Sequence, residues 1–198
     1  NIPGWVDARA RMRGWADALP GGWSARLLPG QERGTPREAD ASRIVELLNT
    51  GVGLVVHTGH GQEDCWDGSL GVSDLKSLTN NDRLPVILSA GCSTARFATL
   101  PPYEAYEDLH GVKHPGTNAG EVFRAPPPAP SPYARGVFNL TGLGEQLVRG
   151  GPNGAVAYIG CNTGSQPCAL TLLDGFLRAL ASTSRRDEPT LGDCWADA

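Results

Sequence analysis

Residues 53–62 read GLVVHTGHGQ, a short apolar run that leads into two histidines and two glycines. The run does not alternate between apolar and polar side chains, and its central pair of valines is β-branched. An unalternating run of this length is typical of a parallel strand that is covered on both faces. The stretch therefore predicts an α/β protein, in which helices pack on both sides of a parallel sheet.

The rest of the chain repeats this pattern. Two further buried strands are predicted over residues 84–89 (LPVILS) and 154–159 (GAVAYI), and a short strand is predicted earlier, over residues 23–28. Apolar spacing and end signals predict helices over residues 6–19, 38–49, 73–78, 142–149 and 169–182. The alternation of helices and strands predicts a sheet of at least four mostly parallel strands with helices on both faces.

Residues 98–139 interrupt this alternation. The segment has no periodicity and contains APPPAPSP at residues 125–132. Proline lacks an amide hydrogen, so this stretch is excluded from helix interiors and central strands. The segment is much longer than the ~12–15 residues usual for a structureless connection, which predicts either a functional flap or a disordered insertion.

Composition places the chain among globular proteins. It has 198 residues, of which 40% are hydrophobic and 19% charged, and its net charge is −4. These values suit one domain over residues 1–198 and exclude a disordered chain. The mild acidity argues against nucleic-acid binding, and no apolar run reaches the ~18 residues of a membrane span. Because residue 1 is Asn, we expect an excerpt of a longer polypeptide.

The five cysteines are an odd number, so at least one thiol stays unpaired. They show neither a C-x-x-C pair nor the ligand spacing of a zinc site. Two disulfides would suit an exported protein and five thiols a cytoplasmic one, so the count leaves the compartment open. Cys161 is expected either to line a pocket wall or to form a local disulfide with Cys168.

Two predicted strands end in residues that suit nucleophilic catalysis. The first leads to His60 between two glycines, and the second leads to Cys92 directly after Gly91. Parallel strands present their carboxyl ends at one edge of a sheet, so both side chains are expected at that edge. An imidazole helps to form a thiolate and then supplies a proton to a leaving amine. The neighbouring glycines leave backbone N–H groups uncovered, as an oxyanion hole requires.

Other interpretations of these residues compete with a thiol nucleophile. A cysteine after a buried strand is often a small core residue, and a histidine among glycines is often a turn residue. A metal-dependent hydrolase is a further alternative, because His57 and His60 form H-x-x-H with Asp64 close behind. His110 and His114 form a second pair. We expect no metal site, since His57 lies within the strand pattern and the second pair lies in the Pro-rich segment.

Three segments resemble the gingipain family of cysteine peptidases, within the caspase-like clan. They are VVHTGHGQEDCWDG (55–68), LKSLTNNDRLPVILSAGCSTARF (75–97) and LGEQLVRGGPNGAVAYIG (143–160). In that family a buried strand leads to a Thr-Gly-His-Gly catalytic histidine, and the next strand delivers the catalytic cysteine. The resemblance covers about half of the chain. It implies a caspase-like three-layer sandwich, with a mostly parallel sheet between two layers of helices.

The resemblance also implies roles for single residues. Cys92 matches the nucleophile and His60 the general acid and base, and the amides of Gly61 and Cys92 match the oxyanion hole. In that family the segment after the third buried strand helps to shape the specificity pocket. Cys161 and Asn162 are therefore expected to contact substrate.

The implied activity is hydrolysis of peptide bonds through a thioester acyl-enzyme, in a secreted protein that acts on proteins or peptides. No cofactor is expected, although some members of the family bind structural calcium. The alternative is a non-catalytic caspase-like module that binds peptides or partner proteins. Trp66 follows the histidine and is either a contact for a substrate side chain or a core residue. The acidic or aromatic pocket residues of members that favour Arg or Lys have no match here.

Overall fold

The computed structural model describes residues 8–30, 39–97, 102–128, 142–165, 169–182, 190–196 and 198. Its strands are β1 (Leu54–His57), β2 (Val86–Ser89), β3 (Tyr106–Glu107), β4 (Lys113–His114) and β5 (Ala157–Gly160). β1, β2 and β5 form a parallel sheet with β2 in the middle. His57, Ser89 and Gly160 occupy the same register position at its carboxyl edge.

The helices lie on both faces of this sheet. They are α1 (Ala8–Asp17), α2 (Ala41–Thr50), α3 (Leu143–Arg149), α4 (Ala169–Ser182) and α5 (Leu191–Ala196), with 3-10 turns at Val72–Ser77 and Thr117–Ala119. Asp40 begins α2, because its carboxylate accepts a hydrogen bond from the Arg43 amide at 2.8 Å.

Two apolar cores separate the layers. Ile87 and Leu88 are neighbours in β2 and point to opposite faces of the sheet, yet neither is exposed to solvent. Ile87 packs in the core that contains Leu48 of α2, and Leu88 packs in the core that contains Phe176 of α4. This arrangement confirms the predicted fold class, an α/β sandwich with a parallel sheet between helices.

Two local predictions are wrong. Residues 23–28 form no strand: Trp23 is 46% and Leu27 37% exposed, and the segment joins neither described sheet. The parallel sheet of the described residues therefore has three strands rather than four. Helix α5 was not predicted, because it is too short to show helical periodicity. Its start carried a signal, since Thr190 and Asp193 bond each other's amides in a capping box.

The described part of the insertion, residues 102–128, has its own small fold, so the disordered alternative does not apply to that part. Residues 98–101 and 129–141 lie outside the described residues. β3 and β4 pair antiparallel and place Tyr106 opposite His114. The His114 ring stacks on Tyr106, with ring centroids 4.8 Å apart. Its Nε2 lies 3.0 Å from Asp108 Oδ2 and its Nδ1 lies 2.8 Å from Glu121 Oε1.

We expect the local stability of the insertion to depend on pH. Hydrogen bonds to Asp108 and Glu121 raise the pKa of His114 above 6.5, and the hydrogen bond from His114 lowers the pKa of Asp108 to about 2. The His114 contribution is complete below its unfolded pKa of 6.5 and is lost as the pH rises through its folded pKa. The Asp108 contribution is present above 3.8 and is lost as the pH falls towards 2.

Amide hydrogen exchange in residues 102–128 is therefore expected to be slowest between about pH 4 and 6.5, after correction for intrinsic rates. His114→Gln should remove the loss of protection on the alkaline side. His110→Gln is the matched control, because His110 is exposed and its side chain is outside this cluster. An identical pH profile in wild type and His114→Gln would contradict the prediction.

Candidate active site

Two chain segments meet at the carboxyl edge of the sheet. The histidine loop (residues 58–66) follows β1, and the cysteine turn (residues 90–97) follows β2. A Cβ atom at Gly61 would lie 3.0 Å from the carbonyl oxygen of Cys92 and 3.2 Å from Gly91 Cα. Glycine therefore allows the two backbones to touch. This contact brings the loops that carry His60 and Cys92 together, as the sequence predicts.

The cysteine turn holds Cys92 against the segment that follows β5. Cys92 is a half-buried free thiol, and its Sγ accepts a hydrogen bond from the Ser165 amide at 3.2 Å. The next amide, of Ser93, donates to Thr163 O at 2.8 Å. Ser93 has φ +57°, a left-handed conformation that is uncommon for a residue with a side chain. The Cys92 thiol also donates to the Ser165 carbonyl oxygen at 3.9 Å, so both backbone groups of Ser165 position the sulfur.

Ser165 is a site residue that was not predicted from the sequence. Its contribution is a backbone amide, so its side chain carries no signal. The only available signal was its place in the segment after β5, for which the resemblance implied a pocket wall.

His60 lies at the exposed side of the histidine loop. The loop is closed by hydrogen bonds from Asp67 N to His60 O at 3.0 Å and from Gln62 N to Cys65 O at 2.9 Å. Among the described residues, the His60 ring has no hydrogen bond to Cys92 and none to a third residue that would orient it. Catalytic hydrogen bonds are often long in free enzymes and shorten when substrate binds.

Two amides at this junction are free to bind an oxyanion. Within the described ranges, the N–H groups of Gly61 and Cys92 donate to no other backbone group. They belong to the two backbones that touch each other, so both lie at the junction of the two loops. Such an arrangement suits the developing negative charge of an acyl-transfer reaction.

Trp66 is a core residue and does not offer a surface to substrate. Only 3% of it is exposed, its ring stacks on His57 with centroids 4.6 Å apart, and its Nε1 donates to Tyr158 Oη at 3.1 Å. The substrate-contact interpretation of Trp66 is therefore corrected in favour of the core interpretation. The indole needs a polar partner when buried, and Tyr158 supplies it.

The segment after β5 lines a cavity of about 550 Å³. Asn162 lies in its wall, and the Asn162 Oδ1 atom is buried without a hydrogen-bond partner among the described residues. Cys161 is a half-buried free thiol, so the local disulfide with Cys168 is absent; Cys168 itself lies outside the described residues. The described residues of the lining include no carboxylate: Ala95, Phe97, Tyr158, Ile159, Gly160, Asn162, Leu191, Gly192 and Trp195.

Arg96 links the insertion, the cysteine turn and the histidine loop through two ion pairs. This residue of the cysteine turn forms an ion pair with Glu104 of the insertion and a second one with Glu63 of the histidine loop, the latter at 3.7 Å. The pairs are about one-third exposed, so each contributes little to stability by itself. Their position nevertheless places the insertion beside the junction of the two loops.

Two histidines of the metal alternative have other surroundings in the structure. Among the described residues, no group of three or more His, Cys, Asp or Glu side chains is arranged to hold a metal ion. His57 is enclosed beneath the cysteine turn, and burial lowers its pKa to about 4. Both ring nitrogens of His114 are paired with carboxylates.

In the described part of the chain, no helix is long and apolar enough to cross a membrane.

Several known proteins are similar to this chain in sequence. The pattern of "Peptidase family C25" matches residues 22–198. Gingipain R2 of Porphyromonas gingivalis is 36% identical over 80 residues, which are 40% of this chain and 11% of that protein. Lys-gingipain of the same organism is 45% identical over 51 residues, which are 25% of this chain and 3% of that protein. The chain therefore spans a small part of the length of these relatives.

Two solved structures share the fold. The crystal structure of the Arg-specific cysteine proteinase gingipain R superposes with a TM-score of 0.53 at 22% identity, over 84% of this chain and 30% of that chain. A complex of pro- and mature domains from Porphyromonas gingivalis superposes with a TM-score of 0.50 at 21% identity, over 77% of this chain and 27% of that chain. The expected caspase-like fold is confirmed.

Proposed function

The chain belongs to peptidase family C25, and from that premise we propose that it is a cysteine endopeptidase with Cys92 as nucleophile and His60 as general acid and base. One observation carries the proposal. The Gly61 backbone touches the Gly91–Cys92 backbone, so the loops that carry His60 and Cys92 share one junction at this edge. The Ser165 amide donates to Cys92 Sγ and holds the sulfur in position at that junction.

The proposed reaction is acyl transfer in two steps. The Cys92 thiolate attacks the scissile carbonyl carbon, and the carbonyl oxygen becomes an oxyanion between the N–H groups of Gly61 and Cys92. The tetrahedral species collapses, the C–N bond breaks, and His60 gives its proton to the departing amine. A water molecule then attacks the thioester while His60 takes a proton from it. The acid product leaves and the thiolate returns.

Substrates and location follow from the same proposal. Proteins or peptides are the proposed substrates, and secretion from a bacterial cell is proposed on the strength of family membership. A structural calcium ion remains part of the proposal through the family resemblance alone.

We expect a preference for apolar side chains at the residue whose carbonyl is attacked. The cavity beside Asn162 has no carboxylate in its lining, and a buried Arg or Lys without a partner charge is costly. Substrates with Leu or Phe there should have a kcat/KM about 10-fold or more above those with Arg or Lys. Profiling with a fluorogenic peptide library measures this ratio.

The cavity also supplies a variant and a control for that preference. Phe97→Ala removes part of the apolar wall and enlarges the cavity, so it should weaken the preference for Leu and Phe. Leu172→Ala removes an equally apolar side chain that is 48% exposed on α4, away from the cavity, and should leave the profile unchanged. A wild-type preference for Arg or Lys would overturn the prediction.

The proposed function is tested by following alkylation and cleavage together. Wild-type protein is treated with iodoacetamide at neutral pH, and samples are analysed by mass spectrometry and with the peptide library. We expect Cys92 to react before Cys65, Cys161 and Cys194, and cleavage to disappear in proportion to Cys92 alkylation. Cleavage should continue in the presence of 1,10-phenanthroline, which chelates transition metals and leaves calcium in place.

Two outcomes would contradict the proposal. Cleavage that survives complete alkylation of Cys92 would place the nucleophile elsewhere, with Cys161 as the next candidate at this edge. A protein that cleaves nothing, and whose Cys92 reacts no faster than its other cysteines, would be the non-catalytic caspase-like module instead.

A further inference from the structure

A buried polar network lies directly beneath the cysteine turn, and the proposed reaction does not use it. Its members are His57, Ser89, Thr94, Tyr158 and Trp66. Ser89 is 3% exposed and Thr94 is not exposed at all. Buried polar groups in a core are retained only where they are paired, so the connections of this network can be followed atom by atom.

The network surrounds Gly91, the residue before Cys92. The Gly91 amide donates to Ser89 Oγ at 3.3 Å, and the Gly91 carbonyl accepts from Thr94 Oγ1 at 3.0 Å. Ser89 Oγ and Thr94 Oγ1 lie 2.9 Å apart. His57 Nδ1 lies 2.9 Å from Ser89 Oγ. A Cβ at Gly91 would lie 2.9 Å from His57 Cε1, so the imidazole ring packs directly against this residue.

Counting hydrogens assigns a direction to every bond. Thr94 uses its one hydroxyl hydrogen on Gly91 O, so Ser89 must donate to Thr94. Ser89 has then used its own hydrogen and can only accept from the Gly91 amide and from His57 Nδ1. His57 therefore carries its hydrogen on Nδ1.

The two aromatic residues fit the same assignment. Trp66 Nε1 can only donate, and it donates to Tyr158 Oη at 3.1 Å. Burial raises the pKa of Tyr158, so its hydroxyl keeps its hydrogen. Among the contacts of the cysteine turn, the Ser89 and Thr94 hydroxyl hydrogens are each used once.

We propose that His57, as a neutral ring protonated on Nδ1, is a positioning residue that acts through Ser89 to hold the turn of the nucleophile. Both backbone polar groups of Gly91 are fixed by the network, which sets the direction of the Cys92 amide and of its Sγ towards Ser165. The inference rests on the proposed function only in taking Cys92 as the nucleophile. Burial keeps the ring neutral at physiological pH, since the pKa of His57 is lowered to about 4.

The ring and the donor at position 57 can be separated by two substitutions. His57→Phe keeps an aromatic ring that can stack on Trp66 and removes the donor to Ser89. His57→Asn keeps a side-chain N–H near the position of Nδ1 and removes the ring. Ser89→Ala removes the acceptor and deletes a single hydroxyl. His110→Phe is the matched control, because His110 is exposed and lies in the insertion.

Three measurements decide the inference. The ¹⁵N NMR shifts of the wild-type His57 ring should show the Nδ1–H tautomer, unchanged from pH 5 to 8. His57→Phe and Ser89→Ala should lower kcat about 10-fold with KM nearly unchanged, and should slow Cys92 alkylation in parallel. His57→Asn should recover part of the alkylation rate. Thermal unfolding establishes that each variant is folded before its rates are compared.

The alternatives are distinguishable from a failure of the proposed function. An Nε2–H tautomer or a protonated ring at neutral pH would overturn the assignment. A folded Ser89→Ala with the alkylation rate of wild type would overturn the positioning role. If the protein cleaves no peptide, the tautomer and the alkylation rates still measure control of the cysteine turn, so the inference stands or falls without the peptidase activity.

Discussion

Replacing Cys92 by alanine is expected to abolish peptide cleavage, with a fall in kcat of at least about 10³-fold. The substitution removes the only described thiol that receives an amide at this junction, the Ser165 N–H at 3.2 Å. Without it, no acyl-enzyme forms, and the remaining donors can only bind substrate. The measurement is steady-state cleavage of the best peptide from the library, with electrospray mass spectrometry to detect the thioester in wild type.

Cys161→Ala is the matched control for that experiment. Cys161 is also a half-buried free thiol at the same edge of the sheet, but it follows β5 rather than β2. It contributes its carbonyl oxygen to the Ala95 amide at 3.0 Å, a bond that alanine preserves. Near-normal cleavage is therefore expected. If Cys161→Ala is inactive and Cys92→Ala retains activity, the nucleophile is assigned to the wrong strand end.

Replacing His60 by alanine is expected to lower kcat by about 10²- to 10⁴-fold, the range of general acid–base catalysis. It should also slow alkylation of Cys92 at neutral pH, since the thiol loses its base. His60 is exposed, so added imidazole should enter the vacated space and restore part of the activity. The readouts are kcat, the alkylation rate and the dependence of both on imidazole concentration.

His110→Ala controls for the loss of an exposed histidine. It lies in the insertion, and its backbone amide donates a hydrogen bond to Asp108 Oδ1 at 2.8 Å, which alanine keeps. Unchanged cleavage is expected. A His60→Ala protein with normal kcat would show that another group takes the proton, and the dyad would then be wrong.

The strands of the site were predictable because each is a short apolar run with a polar end. β1 and β2 lie within residues 53–57 and 84–89 as predicted, and α4 has the predicted bounds. Parallel pairing then places His60 and Cys92 at one edge without any further information. The resemblance added the order of the motifs, which the periodicity of single elements does not contain.

The network beneath the cysteine turn was not predictable from the same runs. His57 and Ser89 meet because they share a register position on neighbouring strands, and register is a property of the folded sheet. Sequence patterning indicated only that His57 lies within the strand. The fold of the Pro-rich insertion was not predictable for another reason. It contains a histidine between two carboxylates, and such a cluster has no periodic signal.

The contact between Gly61 and Gly91 offers a criterion for sorting homologous chains whose histidine and cysteine are both retained. A methyl group at position 61 would lie 2.3 Å from Thr94 Cγ2, and one at position 91 would lie 3.0 Å from the same atom. The constraint is stricter at position 61, where the added carbon would also lie 3.0 Å from the backbone oxygen of Cys92. Homologues that keep the dyad but carry a larger residue at position 61 are expected to hold the two loops differently, so this spacer residue should be inspected as closely as the reactive ones.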